Sequence, residues 1–522
     1  MKRLQIWNLI FAAVLLLQIA AEALTLGFIL RLDVLPAKYN AIIIAVFVFL
    51  TLLTGLLLFL HAKGKTVGVV RRLIACALAL LIVCGCAVAS VAVSEVYETM
   101  HQITKQPETG EMRTVYIRAD DPAKTLQDAA GYTFGVVENF DIVSTQQAIA
   151  GIERMLDKKI PVIGYPSMDA MVDSLYDKTV DAIIMNSAYT AILEEEGYVD
   201  FFAKTKILYE VAVEGWVKPT EPTQPEKPTA PAQSVPGIPG PPENTEPAVE
   251  RTVTNTPFVL YISGSDTRYS YLPKTSLSDV NILAVVDPVN KRVLLLNTPR
   301  DYYVKNPAGN GIRDKLTHCG SFGVECSIQA LEDLYGINID YYARINFTGF
   351  KTLIDAIGGV SVYSPIEFTR DGVYVPKGTN LLSGEQALML ARERYNMPNG
   401  DNDRGKSQMR VIKAVLEKVT SGKTIISNYT GILDSLQGMF TTSFEMEQIS
   451  QLVKMQLDDM ADWTIQSYAV SGVGGRDVTY CYPSRKLYVM YEDQEQVDHG
   501  AYLINKVLSG QALTEEDLQG PK

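Results

Sequence analysis

The amino-acid sequence predicts an α/β protein with N-terminal transmembrane helices, a small α/β accessory domain and a C-terminal α/β domain whose central mixed sheet is flanked by helices. Three observations predict this fold class. The first hundred residues contain three long apolar runs. A Pro-rich stretch interrupts the chain at residues 217–250, and strand-length apolar runs alternate with helical stretches on both sides of it. At 522 residues the chain has room for more than one domain.

Residues 1–95 are predicted to form three transmembrane helices. The apolar runs cover approximately residues 4–30, 39–60 and 73–93. Crossing a bilayer takes roughly 20 helical residues, so each run is long enough. A signal peptide is a poor explanation, because these runs are longer than a signal core and come in series.

The distribution of cations orients these helices. Lys2 and Arg3 precede the first run, and Lys63, Lys65, Arg71 and Arg72 lie between the second and third, whereas the first loop is less basic. Short cytoplasmic loops collect Lys and Arg. We therefore expect a multi-pass plasma-membrane protein with a cytoplasmic N-terminus and an extracellular C-terminal portion.

The net charge and the cysteines exclude two kinds of site. A formal net charge of −12 argues against a nucleic-acid partner, because such binding depends on a basic surface. Three cysteines lie downstream of the membrane runs, and their spacing matches no zinc pattern. A disulfide between Cys319 and Cys326 is left open, and Cys481 then stays unpaired.

Residues 108–216 are predicted to form the accessory α/β domain. Strand-like runs at 132–137, 160–164 and 180–185 alternate with helical stretches at 145–156 and 167–176. The segment after the third strand has a weak likeness to the ligand-side loop of a solute-binding lobe, and a structural spacer is the alternative. The sequence of this domain contains no charged constellation that supports catalysis.

The Pro-rich segment 217–250 is predicted to be a linker. Its prolines recur among Thr, Glu, Gln and Ala, a composition that cannot bury a core and favours extended polyproline II. At roughly 3 Å per residue, it could separate its neighbours by as much as ~90 Å. The C-terminal domain then occupies residues 251–522.

Three apolar runs in the C-terminal domain read as central strands. They lie at 258–263, 281–286 and 292–298, and their continuous apolar character is typical of strands buried on both faces. In open α/β sheets, ligands bind outside the carboxyl ends of such strands. A ligand site is therefore expected at that edge of the sheet.

Charged residues lie at the ends of these predicted strands. Asp266 follows the first strand, and Arg300 follows the third. Asp279 precedes the second strand and reaches the same crevice if that strand is antiparallel to its neighbours. Mg²⁺ is typically held by one or two carboxylates with phosphate oxygens and water, so the two aspartates together suit a hard cation. Taken singly, each is more simply a capped turn.

Two arginines end a predicted helix that a capping box opens at residues 383–386. Arg392 and Arg394 would diverge by about 200° on an ideal helix. They converge on one ligand only if the helix stops between them or just before them. Arg suits a phosphate ligand because its planar guanidinium binds phosphate oxygens bidentately and stays charged.

The segment 400–408 opens a further helix and concentrates polar chemistry. It contains Asp401, Arg404 and Gln408, and the last two stand one helical turn apart. A phosphorylated ligand with a divalent cation needs such groups, and surface salt bridges are the alternative. Because free nucleotides are scarce outside a cell, we expect the phosphate to be attached to lipid.

A series of short motifs follows in order along the C-terminal domain. They are Gly264-Ser265-Asp266, Ser278-Asp279, Pro299-Arg300-Asp301-Tyr302, Asp340-Tyr341-Tyr342, Asn346-Phe347, Gly349-Phe350, Asp355-Ala356-Ile357-Gly358-Gly359-Val360, Leu382-Ser383-Gly384, Ala387-Leu388, Arg392-Glu393-Arg394 and the segment from Asp401 to Gln408. The order of these motifs resembles the LytR-CpsA-Psr family over roughly residues 255–425. The membrane helices and the accessory domain resemble the capsule-type members.

The resemblance implies a phosphotransferase that moves a polysaccharide or a teichoic-acid-like polymer from undecaprenyl pyrophosphate to peptidoglycan. The implied partners are the polyprenyl-pyrophosphate-linked glycan, peptidoglycan, the membrane, and capsule or teichoic acid assembly proteins. A lipid pyrophosphatase, which uses water as acceptor, is the alternative enzyme. A non-catalytic regulator or scaffold of capsule assembly is the alternative outside enzymes. A nucleophilic hydrolase is poorly supported, because none of the four histidines adjoins a recognisable nucleophile motif.

The resemblance also implies residue roles. Asp266 and Asp279 are expected to hold Mg²⁺ or Mn²⁺, and Asp401 to act as a further metal contact or as the base. The lipid tail is expected in an apolar tunnel between the sheet and the helices. The residues expected to bind the pyrophosphate are Arg300, Arg392, Arg394, Arg404 and Gln408, with Arg300 and Arg404 also expected to be catalytic.

The chain departs from the family pattern at one position. The family usually has an arginine two residues before the aspartate of the Ser-Asp motif, and this chain has Leu277 there. This leaves open a reduced activity or an altered headgroup contact. Lys274 is the nearby cation that could replace the missing arginine.

Overall fold

The computed structural model describes residues 2–60, 65–104, 111–216, 251–265, 267, 271–398, 400–421, 431–433 and 435–521. The predicted linker at 217–250 and the side chain of Asp401 lie outside the described part, as does Asp266. The mixed α/β fold class is confirmed.

Three long helices begin the chain: α1 (Lys2–Leu32), α2 (Ala37–Phe59) and α3 (Lys65–Thr104). Their stretches Trp7–Leu32, Ala37–Phe59 and Thr66–Thr104 are long and apolar enough to cross a membrane. The third helix continues well past the end of its predicted apolar run. Its last turns carry Met100 and Ile103, which are buried against the C-terminal domain.

The accessory domain has a five-stranded sheet in the order β3-β2-β4-β1-β5. The strands β2 and β3 are parallel, as are β2 and β4, whereas β1 is antiparallel to both β4 and β5. Its elements are β1 (Glu111–Arg118), β2 (Phe134–Val137), α4 (Ile142–Leu156), β3 (Val162–Tyr165), α5 (Met168–Tyr176), β4 (Ala182–Asn186), α6 (Tyr189–Glu195), α7 (Phe201–Lys204) and β5 (Thr205–Val213).

The C-terminal domain is built on a six-stranded mixed sheet in the order β16-β11-β6-β7-β8-β17. Its first half contains β6 (Phe258–Ser265), β7 (Val280–Asp287), β8 (Arg292–Asn297), β9 (Tyr303–Lys305), β10 (Arg313–Lys315), α8 (Leu316–Cys319), α9 (Val324–Tyr335), β11 (Tyr341–Asn346), α10 (Phe347–Ala356) and β12 (Val360–Ser364). The remainder contains β13 (Phe368–Arg370), β14 (Val373–Val375), β15 (Gly378–Leu382), α11 (Gly384–Arg392), α12 (Asp401–Thr420), β16 (Phe440–Thr442), α13 (Met446–Asp459), β17 (Thr464–Ala469), β18 (Gly472–Asp477), β19 (Leu487–Glu492) and α14 (Gln494–Leu508).

The central strands are apolar throughout because helices cover both faces of the sheet. On one face, Ile282 and Leu295 pack with Met409 of α12. On the other face, residues such as Leu283 belong to a second cluster that includes Leu503 of α14. Burial on both faces removes the need for alternating polar side chains.

The accessory domain packs directly against the C-terminal domain. One hydrophobic cluster joins Tyr189 and Phe140 of the accessory domain to Phe322 and Cys481 of the C-terminal domain. The reach of up to ~90 Å is an upper limit that the packed domains do not use. A linker of this composition sets the largest possible distance, whereas buried apolar surface determines the distance that is adopted.

Candidate active site

The antiparallel course of β7 brings three strand ends to one edge of the sheet. β7 is antiparallel to β6, with Gly264 opposite Val280, and it is also antiparallel to β8. The start of β7 therefore lies beside the carboxyl ends of its neighbours. Asp279 and Arg300 meet there, at 2.6 Å between Oδ1 and Nη1.

Arg300 lies at the centre of this edge and is 7% exposed. It pairs with Asp279 and also with Glu195, which belongs to α6 of the accessory domain. Burial disfavours the charged guanidinium, but the carboxylates of Asp279, Asp301 and Glu195 hold the pKa of Arg300 well above its usual value. Arg300 is therefore a permanent cation.

Asp301 forms a buried ion-pair network next to Arg300. Its Oδ1 lies 3.3 Å from Nζ of Lys315, and both side chains are buried. Burial alone raises the pKa of an aspartate, but the cations of Arg300 and Lys315 outweigh it and lower the pKa of Asp301 to about 2. This buried network fixes the backbone from which Arg300 projects.

The end of α11 satisfies the condition for convergence of its two arginines. The helix ends at Arg392, and the capping residue Glu393 is extended, with φ −74° and ψ 126°. Arg392 and Arg394 consequently line one cavity instead of pointing apart. Arg370, on β13, donates to the backbone carbonyl of Arg392 at 2.8 Å and lines the same cavity.

The helix α12 supplies the opposite side of the cavity. It begins at Asp401 after Gly400, whose φ of +53° favours glycine. Arg404 and Gln408 both line the cavity, one turn apart, and Gln408 donates to the carbonyl of Ala391 at 3.3 Å. A Cβ at Gly405 would collide with the Asn297 side chain, so this glycine lets α12 approach the end of β8.

The cavity that these residues share has a volume of about 390 Å³. It runs between the sheet and the helices α10, α11 and α12. Its charged mouth carries Asp279, Glu195 and five arginines, which are Arg300, Arg370, Arg392, Arg394 and Arg404. Its interior is lined by Leu260, Ile262, Val280, Ala343, Ile345, Phe347, Phe350, Leu353, Leu388, Ala391, Ile412, Val415, Leu416 and Phe440.

Three residues near the site were not predicted from the sequence. Glu195 and Arg370 come from elements whose contact with the strand edge no local pattern reveals. Arg344 lies on β11, fully buried, and donates to the Lys274 carbonyl and to Oγ of Ser276, both at 2.9 Å. A lone arginine inside an otherwise apolar strand was the signal for it, because such a charge is buried only with partners.

Leu277, at the position where the family usually has an arginine, is a buried apolar residue. It is 4% exposed and packs into the hydrophobic cluster that joins the two domains. The side chain of Lys274 is exposed, and among the described residues it lines neither cavity. Arg370 is a cation at the mouth that the sequence did not predict.

The three cysteines of the C-terminal domain and His318 are buried in that domain. All six cysteines lie within the described ranges and are unpaired, so the disulfide between Cys319 and Cys326 is not formed in this structure. Nδ1 of His318 lies 2.6 Å from Oδ1 of Asp314, and both side chains are buried. Asp314 also accepts a hydrogen bond from the backbone of Cys481. These groups satisfy one another's hydrogen bonds, so His318 is a packed structural residue.

Comparison with known proteins identifies the C-terminal domain. Residues 235–496, half of the chain, match the model of the LytR_cpsA_psr family. A polyisoprenyl-teichoic acid–peptidoglycan teichoic acid transferase, TagU, from Enterococcus faecalis is 35% identical over 197 residues, covering 38% of this chain and 64% of that protein. The chain thus spans slightly less than two thirds of that relative.

Two further matches cover the same kind of domain. A TagU protein of the same description from Bacillus anthracis is 31% identical over 217 residues, covering 41% of this chain and 70% of that protein. The crystal structure of B. subtilis TagV is 23% identical, with a TM-score of 0.42, and the match covers 50% of this chain and 99% of that chain. The chain belongs to the LytR-CpsA-Psr family.

Proposed function

We propose that this protein is a phosphotransferase that moves a polysaccharide or teichoic-acid-like polymer from undecaprenyl pyrophosphate to peptidoglycan. The observation that carries the proposal is the cavity: an apolar interior that opens at five arginines. A polyprenyl pyrophosphate has the same division, with a long apolar chain joined to a polyanionic headgroup. The relatives of this protein that are named as teichoic acid transferases support the same reaction class.

The arginines suit a pyrophosphate. Arg300 and Arg404 are each less than a tenth exposed, so water screens their charges weakly. Planar guanidinium groups bind phosphate oxygens bidentately and stay charged. In phosphoryl transfer, charge spreads over the equatorial oxygens, and preorganised cations supply much of the catalysis.

The interior of the cavity adjoins the membrane helices. Ile345, Leu353 and Phe440 line the cavity and also pack against the cluster that contains Met100 and Ile103 of α3. A lipid tail in this cavity therefore lies close to the end of a predicted transmembrane helix. This supports a C-terminal domain that sits at the membrane surface. From the loop cations, we propose that this is the outer surface and that the N-terminus is in the cytoplasm.

A divalent cation, Mg²⁺ or Mn²⁺, suits the carboxylate at this mouth. Asp279 lines the cavity, and both Arg300 and Thr317 donate to the same oxygen, Oδ1. A carboxylate oxygen is the type of ligand that these hard cations prefer. We propose that Asp279 and Asp266 hold the cation, which when bound withdraws charge from the phosphate oxygens.

The reaction follows from this arrangement. An acceptor hydroxyl of peptidoglycan attacks the phosphorus that carries the glycan, and a new phosphodiester bond forms. The bond from that phosphorus to the bridging oxygen breaks, and polyprenyl phosphate leaves. We propose Asp401 as the base that takes the hydroxyl proton or as a further metal contact. Arg300, Arg392, Arg394, Arg404 and Gln408 bind the pyrophosphate oxygens.

A matched pair of variants on α12 tests the proposal. The full-length protein in nanodiscs is incubated with Mg²⁺, a polyprenyl-pyrophosphate oligosaccharide and peptidoglycan fragments. Arg404→Ala is expected to lower transfer by at least about a hundredfold, as for loss of one transition-state donor. Arg410→Ala on the same helix, outside the cavity, is expected to retain activity. Equal transfer by wild type and Arg404→Ala would overturn the proposal.

A further inference from the structure

A second cavity, of about 920 Å³, lies between the accessory domain and the C-terminal domain. Its accessory wall comes from α6 and the segment that follows it, through residues such as Thr190, Val199 and Phe202. The opposite wall includes Thr275 and Ser276 of the loop before β7. Its volume falls within the roughly 300–1,000 Å³ that is typical of small-molecule sites.

The two cavities meet at the charged mouth. They share six residues, and apart from Tyr395 every shared residue is charged: Glu195, Asp279, Arg300, Arg370 and Arg392. The order along this path is an apolar interior, a cationic centre and an interdomain space with both polar and apolar lining. A lipid, a pyrophosphate and a saccharide are joined in that order in the proposed donor.

The lining of the interdomain cavity suits a saccharide. Ser187 provides a hydroxyl group, which can both donate and accept hydrogen bonds. The hydroxyl groups of Thr190 and Ser276 also line the cavity but already bond within the protein: Thr190 donates to the Ser187 carbonyl, and Ser276 accepts from Ser265 and Arg344. Phe202 and Tyr395 are exposed and provide flat aromatic faces. Sugar rings offer hydroxyl groups at their edges and apolar C–H groups on their faces, so both kinds of lining group find partners.

The accessory wall is held firmly in place. The side chain of Asn186, at the end of β4, donates from Nδ2 to the carbonyl of Ser321 at 2.8 Å and accepts from Oγ1 of Thr275 at 3.3 Å. Tyr189, at the start of α6, packs against Phe322. These buried contacts cross the domain boundary, so α6 is fixed relative to the mouth.

We propose that the interdomain cavity binds the saccharide on which the reaction acts, and that the accessory domain forms one wall of this saccharide site. The inference rests on the proposed function and deepens it. The family match begins at residue 235, after the accessory domain, so the family assignment does not include this wall. The wall gives the accessory domain a role in choosing the glycan.

Two variants of the full-length protein in nanodiscs test the inference. Val199→Trp places a large side chain in the cavity from a residue that is 77% exposed, and Phe202→Ala removes an aromatic face. Val143→Trp is the matched control, because Val143 is an exposed accessory residue on α4 that does not line the cavity. The ligands are bare polyprenyl pyrophosphate, polyprenyl pyrophosphate carrying a disaccharide, and a soluble peptidoglycan fragment.

Binding measurements are expected to distinguish recognition of the saccharide from recognition of the lipid. If the donor saccharide occupies the cavity, Val199→Trp weakens binding of the disaccharide-bearing lipid by at least about tenfold, with a smaller loss for Phe202→Ala. Binding of bare polyprenyl pyrophosphate stays unchanged. If the acceptor occupies the cavity, both donor affinities stay unchanged, and the KM for the peptidoglycan fragment rises instead.

Either pattern supports a saccharide site. The inference is overturned if both variants match Val143→Trp with all three ligands, or if they weaken bare polyprenyl pyrophosphate equally. Failure of the proposed function looks different, because the wild-type protein would then transfer no saccharide to the peptidoglycan fragment.

Discussion

Glu195 of the accessory domain forms an ion pair with Arg300 of the C-terminal domain, inside the mouth of the apolar cavity. The carboxylate therefore contacts a guanidinium that we propose for pyrophosphate binding. A substrate phosphate and Glu195 compete for the same donors. The accessory domain thus contributes directly to the electrostatics of the site.

Removal of the Glu195 charge is expected to strengthen binding of the headgroup. Glu195→Gln should lower the Kd for bare polyprenyl pyrophosphate by roughly two- to fivefold, since the pair is partly exposed and of modest strength. Isothermal titration of the full-length protein measures this. Glu196→Gln is the control, because Glu196 pairs with Arg485 outside both cavities. Unchanged or weaker binding in Glu195→Gln would contradict the competition.

The buried network beneath Arg300 is expected to stabilise the fold in a pH-dependent way. Asp301→Asn leaves Lys315 buried without its charge partner and should lower the free energy of unfolding by about 2 kcal/mol or more at pH 7. Thermal unfolding of both proteins in detergent measures the difference. Asp498→Asn, at an exposed residue, is expected to have little effect.

The lowered pKa of Asp301 determines the direction in which stability changes with pH. The pKa of Asp301 is lowered to about 2 in the folded protein. Its ionised form therefore stabilises the fold above about pH 4, and this contribution is lost as the pH falls through about 2. The difference in Tm between wild type and Asp301→Asn should shrink across that window. A constant difference would show that the charge of Asp301 is not the cause.

Close packing at the start of α11 is expected to be intolerant of a methyl group. A Cβ at Gly384 would run into the backbone of Lys351 on α10. Gly384→Ala should destabilise the protein by about 1–3 kcal/mol or more and shift the helix that carries Arg392. Gly131→Ala is the control, since a Cβ there meets nothing within 4 Å. Equal Tm values for the two variants would contradict this account of the packing.

The depth of the apolar cavity is expected to set the length of lipid that it accepts. Val415 lines the interior from α12. Val415→Trp should weaken binding of a long polyprenyl pyrophosphate several-fold more than binding of a short-chain analogue, because only the long chain needs the filled space. Competition binding over a series of chain lengths measures this. Equal losses for all lengths would place the tail elsewhere.

The sequence predicts the fold and the site where they depend on local chemistry. The three central strands were found because their apolar runs are buried on both faces, and a capping box marked the start of α11. Convergence of Arg392 with Arg394 depended on where the helix ends, which the sequence left conditional. The structure settles this with an extended residue at Glu393.

The contributions missed from the sequence are long-range. Glu195 reaches Arg300 across 105 positions, and Arg344 reaches Ser276 across 68. Periodicity and turn signals describe neighbours along the chain, so they carry no information about such pairs. The packing of the two domains was missed for the same reason. A flexible connection limits the reach of a domain without choosing its contact surface.

The direct test of the central claim is to determine whether the new phosphorus–oxygen bond forms to a peptidoglycan hydroxyl or to water. The full-length protein is incubated in ¹⁸O-labelled water with Mg²⁺, a polyprenyl-pyrophosphate oligosaccharide and peptidoglycan fragments, and the products are weighed by mass spectrometry. A transferase gives an unlabelled phosphodiester between oligosaccharide and peptidoglycan, together with polyprenyl phosphate. Oligosaccharide phosphate that carries ¹⁸O, without any peptidoglycan adduct, would identify a lipid pyrophosphatase and contradict the account.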